Sequence, residues 1–221
     1  MTEIASIFSG WPEWVDELLG GLFVSVKLTL AILAVGLPVG LLLALGVASR
    51  AWPVRWAAIV LVEIARGLPA LVLVYLVYFG LPQAHLTLTA FAAGTAALGF
   101  TLAGYTSEVF RAGIAAVPAG QREAARAIGL SRAKELRLVV LPQALRISIP
   151  PILGYAILFF QATSLCFAIA VPELLSRAYT IGSSTFRYLS VLLLAGLMFA
   201  AVCIPASQFV DFLERRRERR V

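Results

Sequence analysis

Cysteine and histidine are nearly missing from this chain. Two cysteines, Cys166 and Cys203, and one histidine, His85, occur in 221 residues. Both cysteines sit inside apolar runs, with no ligand spacing and no histidine nearby. That pattern excludes a cysteine–histidine metal centre and leaves them as small buried hydrophobes. Charge is scarce as well: 14% of residues are charged, against about 25% in a soluble domain. No Gly-x-x-x-x-Gly-Lys-Ser/Thr segment occurs, so the usual phosphate-cradling loop is absent from the sequence. No Ser/His/Asp constellation is legible. The chain therefore reads as neither a self-contained enzyme nor a cofactor binder. Residues 1–20 begin acidic and have no positive n-region or continuous apolar core, which argues against a secretory signal there.

What is present is hydrocarbon. Hydrophobic residues make up 61% of the chain and the mean hydropathy is +0.92. Several apolar runs approach or exceed the ~20 residues that span a bilayer. The expected fold is all-α and integral to the membrane, with five transmembrane helices in one domain over residues 21–213. They lie within Gly21–Ala48, Trp56–Leu81, about Leu88–Tyr105, about Ile147–Ala170 and about Tyr188–Leu213. Before them, Ile4, Ile7, Phe8, Trp11, Val15, Leu18 and Leu19 recur at helical spacing, with Glu13, Asp16 and Glu17 mostly opposite. Residues 1–20 thus read as an interfacial helix on the outer face, interrupted near Pro12. Residues 214–221 read as a basic cytoplasmic tail.

The net charge of +6 does not point to nucleic acid, because the basic residues cluster at the ends of apolar spans. Arg50 and Arg55, seven basic residues from Arg111 to Arg146 and five from Arg215 to Arg220 share one face if there are five spans. Those fourteen of eighteen are cytoplasmic by the positive-inside rule, which sets the N-terminus outside and the C-terminus inside.

Polar residues within the spans are few. Glu63 and Arg66 lie three apart on one helical face, which suits a structural ion pair or a role in transport. Tyr105, Glu108 and Arg111 end the third span. Gln161, Thr163 and Ser164 lie near the middle of the fourth. A polar solute crossing a bilayer needs hydrogen-bonding groups at depth, so Gln161, Thr163, Ser164, Tyr105 and Glu108 are the candidate path residues. The two hydroxyls at 163 and 164 could equally bond backbone carbonyls of their own helix.

The longest polar stretch is Gly120–Pro151, which overlaps a loop at about 116–142. It carries six of the eighteen basic residues and is longer than a connector needs. Pro118 precedes a helix over about Arg122–Ile128, Gly129 is placed to end it in a left-handed cap, and Ser131 to cap the next. Ala124, Ala125, Ile128 and Leu130 form an apolar ridge flanked by Arg122, Glu123 and Arg126. Such a ridge suits docking of a cytoplasmic protein; the bland alternative is a solvated basic loop that only sets topology.

The same residues resemble the signature of the membrane subunits of bacterial ATP-binding-cassette importers. That signature is Glu-Ala-Ala, three residues, Gly, nine residues, Ile, any residue, Leu-Pro. Glu123-Ala124-Ala125, Gly129, Leu141 and Pro142 fall in register, with Val139 in place of Ile. Arg66-Gly67-Leu68-Pro69 resembles the Arg-Gly-Thr-Pro of polar amino-acid permeases, and Glu108-Val-Phe-Arg111-Ala-Gly-Ile114 their Glu-Ile-Arg-Gly-Gly-Ile region. Gly120-Gln121, Leu141–Arg146 and Pro150-Pro151 fit the same subfamily. The resemblance covers most of the chain. It departs at Gln161-Ala162-Thr163-Ser164-Leu165, where the subfamily often has Lys-Asp/Glu-Thr-Ser-Leu.

The resemblance implies a type I importer-like permease subunit in the bacterial cytoplasmic (inner) membrane, carrying polar amino acids or close derivatives. It implies four further partners besides the lipid bilayer: a second permease subunit, identical or paralogous; two cytoplasmic ATPase subunits that use ATP and magnesium; and an extracytoplasmic amino-acid-binding protein. The loop would be the coupling helix, with Gly120, Glu123, Ala124, Ala125 and Gly129 contacting the ATPase. The rival reading is an ion-coupled secondary carrier or channel that works without an ATPase.

Overall fold

The computed structural model describes residues 8–218. Among them the chain is helical with no strand: α1 Trp11–Val47, α2 Trp52–Gly67, α3 Ala70–Tyr75, α4 Ala90–Ala115, α5 Ala119–Ala127, α6 Arg132–Glu135, α7 Leu141–Ala162, α8 Leu174–Thr185 and α9 Tyr188–Glu218. A π-turn at Leu76–Gly80 and a 3-10 turn at Leu81–Ala84 extend α3; a π-turn at Leu136–Val140 leads into α7 and a 3-10 turn at Thr163–Ile169 leaves it.

Proline sets several of the starts. Pro12 and Pro53 stand in the first turn of α1 and α2, where a missing N–H deprives no carbonyl, whereas Pro142 follows directly on the Leu136–Val140 π-turn. Phe8 is helical and a turn at Ser9-Gly10 precedes α1, so a helical interruption lies just before Pro12. α1 runs unbroken through Gly20-Gly21 to Val47, so no boundary separates an interfacial helix from the first span. Residues 1–7, and the tail residues 219–221, lie outside the described residues.

Two further expectations change. The second span is broken: α2 and the α3 segment through Ala84 meet at 107° across Leu68-Pro69. Leu68 is extended (φ −86°, ψ 136°) because the residue before proline is disfavoured in the helical region. The fourth span, expected at about Ile147–Ala170, lies within a longer helix. Pro150 and Pro151 sit well inside α7, and the helical stretch runs from Arg132 to Ile169. Among the described residues, that stretch, Trp11–Val47 and Tyr188–Arg216 are the three helices long and apolar enough to cross a membrane, or four spans with the bent pair as one. α4, with 26 residues, is long enough but rich in Ala, Gly and Thr, and much of it is buried in protein.

α1 and α4 form the most extensive helix pair. Gly36 and Gly40 allow it: a Cβ at Gly36 would lie 2.8 Å from the Gly99 carbonyl, and one at Gly40 would lie 3.0 Å from that of Ala103. Small residues four apart bring helix backbones together where lipid offers no hydrophobic drive for association. Around this pair, Leu28, Ile32, Leu98, Leu102, Phe159 and Ile169 form the main core. α2 closes one flank through Ala58 and Val62 against Leu43 and Ala103. Thr29, Thr101, Thr106 and Ser107 donate to carbonyls of the preceding turn, so their buried hydroxyls are satisfied without water.

The segment between α7 and α9 packs on the N-terminal half of α1. Trp14, Leu18, Leu174, Ala178, Ile181 and Val191 share a second cluster. Glu173 caps α8, accepting from Leu175 N–H at 2.9 Å and Ser176 N–H at 2.7 Å, and it is fully buried. Burial pushes its carboxyl up to about 7, against the pull of those two N–H donors. The sign follows from linkage. The folded chain holds this proton more tightly than the unfolded one, so the stabilisation is complete below about 4.5 and is lost as pH rises through 7. Thermal melts in detergent should therefore show stability falling by up to ~3 kcal/mol between pH 4.5 and 8. Glu173→Gln should flatten that slope; an unchanged slope would assign it to other groups.

Candidate functional site

The loop after α4 is built as two short helices on a small apolar floor. Val117, Val140 and Ala144 are buried there, with Ile114, Leu136 and Ile147 against them. α5 ends in a Schellman motif: Gly129 N–H donates to the Arg126 carbonyl at 2.9 Å and Leu130 N–H to that of Ala125 at 3.1 Å. Gly129 has φ +80°, a conformation in which a Cβ is strained. Ser131 stands at the start of α6 but makes no side-chain cap.

The expected ridge splits. Ala124 and Ile128 are exposed, whereas Ala125 is buried at 3%. Gly120 and Glu123 are exposed on α5. The outward surface is thus Gly120, Glu123, Ala124 and Ile128, with Ala125 forming the joint beneath it.

An ion pair that spacing did not reveal fastens the two helices. Arg126 Nε and Nη2 donate to Glu135 at 2.9 and 3.2 Å, and Glu135 is nearly fully buried. The guanidinium holds the Glu135 carboxyl below its ordinary range, and Glu135 holds Arg126 above its own. Arg122 donates to the Ile114 carbonyl, tying α5 back to the end of α4.

Deeper in the chain, the break between α2 and α3 opens a mostly apolar cleft of about 410 Å³ with a few polar groups, within the range of small-molecule sites. Arg66, Leu68, Thr101, Tyr105, Phe159 and Ala162 line it. Tyr105 stacks on Tyr155 with ring centroids 5.4 Å apart, and the Arg66 guanidinium lies 5.9 Å from the Tyr105 ring centre. Arg66 does not pair with Glu63, which is exposed. It reaches Glu108 at 3.7 Å, and Glu108 also accepts from Arg111 at 2.8 Å. The near-sequence pair is replaced because α4 lies directly on α2: a Cβ at Gly104 would come within 2.7 Å of Ala65 Cβ and 3.0 Å of Arg66 Cγ. Glu108, Arg111 and Arg122 line a second cavity of about 530 Å³ beside the end of α1.

The structure gathers Tyr105 and Glu108 around Arg66 and separates them from the α7 candidates. Gln161 is exposed and donates to Cys203 Sγ at 3.5 Å, joining α7 to α9. Thr163 is fully buried with its hydroxyl on the Phe160 carbonyl at 2.7 Å, and Ser164 donates to the Gln161 carbonyl at 2.7 Å. Arg66 and Thr101 are the cleft residues absent from the candidate path set. The Gly67–Pro69 break was the signal that could have found them, since broken helices mark binding sites in transporters. Among the described residues, no group of three or more His, Cys, Asp or Glu is placed to hold a metal ion.

Residues 36–219 match the family described as "Binding-protein-dependent transport system inner membrane component". The chain belongs to that family. It is a multi-pass inner-membrane permease subunit of an ATP-binding-cassette importer. Among its relatives, the L-cystine transport system permease protein TcyB of Bacillus subtilis (strain 168) is 35% identical over 214 residues, covering 96% of this chain and 90% of TcyB. The probable amino-acid ABC transporter permease protein YckA of the same strain is 38% identical over 184 residues, covering 82% and 80%. A chain from the crystal structure of an amino acid ABC transporter with histidines superposes with a TM-score of 0.87 at 32% identity, covering 95% of this chain and 98% of that one.

Two substitutions test this geometry. Glu135→Gln should accelerate tryptic cleavage at Lys134 several-fold in the solubilised protein; unchanged cleavage would show that α5 and α6 hold together without the ion pair. Gly104→Val should drive α4 off α2 and lower stability by about 1–3 kcal/mol, read as a fall in Tm of the solubilised permease.

Proposed function

We propose that this subunit forms the translocation path of an importer for polar amino acids or close derivatives. Its Gly120, Glu123, Ala124, Ala125 and Gly129 region would couple that path to a separate ATPase. The observation that carries the reading is the joint presence of the family match and a cleft with a few polar groups at the helix break. In support, the relatives YckA and TcyB are named as amino-acid and L-cystine permeases, and the superposed structure is that of an amino acid ABC transporter with histidines.

The subunit in this reading has five spans, an outer N-terminus and a cytoplasmic C-terminus. The subunit pairs with a second permease, identical or paralogous, and with two ATPase subunits that bind ATP and magnesium. An extracytoplasmic binding protein delivers the solute. Tyr105 lines the cleft on the solute's way. Glu108 stands at its inner side, pairing with Arg66 on the cleft wall while lining the second cavity. Gln161 and Ser164 sit at the α7 turn nearby. Nothing in the described geometry favours the ion-coupled alternative, in which a carboxylate must be free to take a cation; Glu108 is held by two arginines.

Proteoliposomes holding the permease with its ATPase and binding protein should accumulate the solute only when ATP is supplied. Accumulation by the permease alone would overturn the reading. Glu123→Lys changes the exposed face of α5, and Gly129→Asp forces a Cβ into a left-handed position that costs about 1–3 kcal/mol. Both should abolish most ATP-driven uptake while membrane insertion, followed by immunoblot, is retained.

A further inference from the structure

Away from the cleft and the loop, a further cavity of about 250 Å³ opens between α1, α7 and α9. The two polar side chains on its wall are already committed. Thr29 Oγ1 donates to the Ser25 carbonyl at 2.8 Å, and Cys203 Sγ accepts from Gln161 at 3.5 Å. The rest of the wall is hydrocarbon. Thr29, Phe160 and Cys203 form a buried floor, while Val26, Leu30 and Phe209 stand exposed at the rim. Such a space offers nothing to a polar solute, whereas an apolar cavity of about 150 Å³ already holds a benzene ring.

The cavity exists because α1 and α9 part. Near their N-terminal ends the two helices touch in register: Trp11 Nε1 donates to Ser190 Oγ at 3.3 Å, and Leu18 shares a cluster with Leu194 and Ala195. The same offset sets Val26 and Leu30 level with Cys203 and Ala206, and there the cavity lies between them. Pro205 stands in α9 at that level, and a proline inside a helix removes a backbone bond and favours a bend.

Lys27 stands beside this opening. It is the only charged residue of α1 after Glu17, and it is exposed between Val26 and Leu30. Its ammonium lies 4.3 Å from the centre of the Phe23 ring, so the side chain reaches one turn back toward the N-terminal end of α1. Among the described residues no carboxylate pairs with it. α7 carries no acidic residue. On α9 the first is Asp211, beyond Val210 and roughly 10 Å along the axis from the level of Lys27. A charge at such a position in an apolar span is costly unless it is partnered.

We propose that this cavity binds an anionic phospholipid of the surrounding bilayer, with one acyl chain in the cavity and the phosphate at Lys27. The two ends of the site call for that occupant: a hydrocarbon slot open on the outside of the subunit, and a cation without a counter-charge. A zwitterionic headgroup brings its own cation, for which the rim holds no carboxylate. A lysine near an anionic headgroup favours it by about fivefold.

The experiment uses the permease–ATPase complex in detergent and phosphatidylglycerol carrying a diazirine in one acyl chain. After photolysis and digestion, mass spectrometry should place the adducts on residues 153–160 and 202–210, the stretches of α7 and α9 that line the cavity. Unlabelled phosphatidylglycerol should compete at concentrations about fivefold below those of phosphatidylcholine, and Lys27→Gln should bring the two together. Ala206→Phe fills the cavity and should remove most of the adducts. Ala156→Leu, a milder filling, should lower them in the same direction even if the larger ring prevents folding. Adducts spread evenly over the exposed helix faces and unmoved by either filling would overturn the site. Equal competition by the two lipids in the unsubstituted complex would overturn the headgroup assignment. A disulfide between two permease copies through Ala206→Cys would make a second copy the occupant and overturn the lipid reading.

Discussion

Gly36 and Gly40 let α1 rest against α4 at backbone distance, and the other elements take their positions from that pair. Inside a bilayer neither burial of apolar surface nor water can order the helices. What remains is close packing and the internal satisfaction of polar groups. The hydroxyls of Thr29, Thr101, Thr106 and Ser107 turn back onto their own helices, which frees the small faces of α1 and α4 to meet. With α4 fixed, Gly104 brings α2 onto its other side, and Arg66 arrives beside Tyr105 and Glu108.

The cleft is a by-product of the same constraint. A helix cannot continue through Leu68-Pro69, and a lipid-exposed break would leave carbonyls without partners. α4 packs against α2 just before the break, at Ala65 and Arg66, which brings Arg66 beside Tyr105 at the cleft wall. The cavity and the helix interruption are one feature seen from two sides. The loop below follows a different logic. There water is accessible, and shape is fixed by the Gly129 cap, the Arg126–Glu135 pair and the bond from Arg122 to the Ile114 carbonyl.

The helical, membrane-embedded character and the cap at Gly129 were legible because both are local: apolar runs and a glycine at a fixed offset. Pro142 was legible as a turning point, but the Leu136–Val140 π-turn before it was not. That turn lets the helix pass the missing N–H without stopping, so the helix begins well before the expected fourth span. The second span read as continuous because both sides of Pro69 are apolar, and hydropathy is blind to direction. Glu63 and Arg66 looked like partners at i,i+3 spacing. The pair failed because Glu108, distant in sequence, is delivered by a glycine contact no single-helix pattern contains.

The unbroken stretch from Arg132 to Ile169 has a mechanical meaning. At about 1.5 Å per residue its 38 residues form a rod of nearly ~57 Å. It starts within the polar loop and ends at the turn leading to α8. A rod of that length pivoting about one end by roughly 5° displaces the other by about 5 Å, close to one helical pitch. Ridged contacts between helices re-seat in steps of that size. A modest angular nudge at one surface is thereby geared up to a full notch at the other, with no element in between that must first melt.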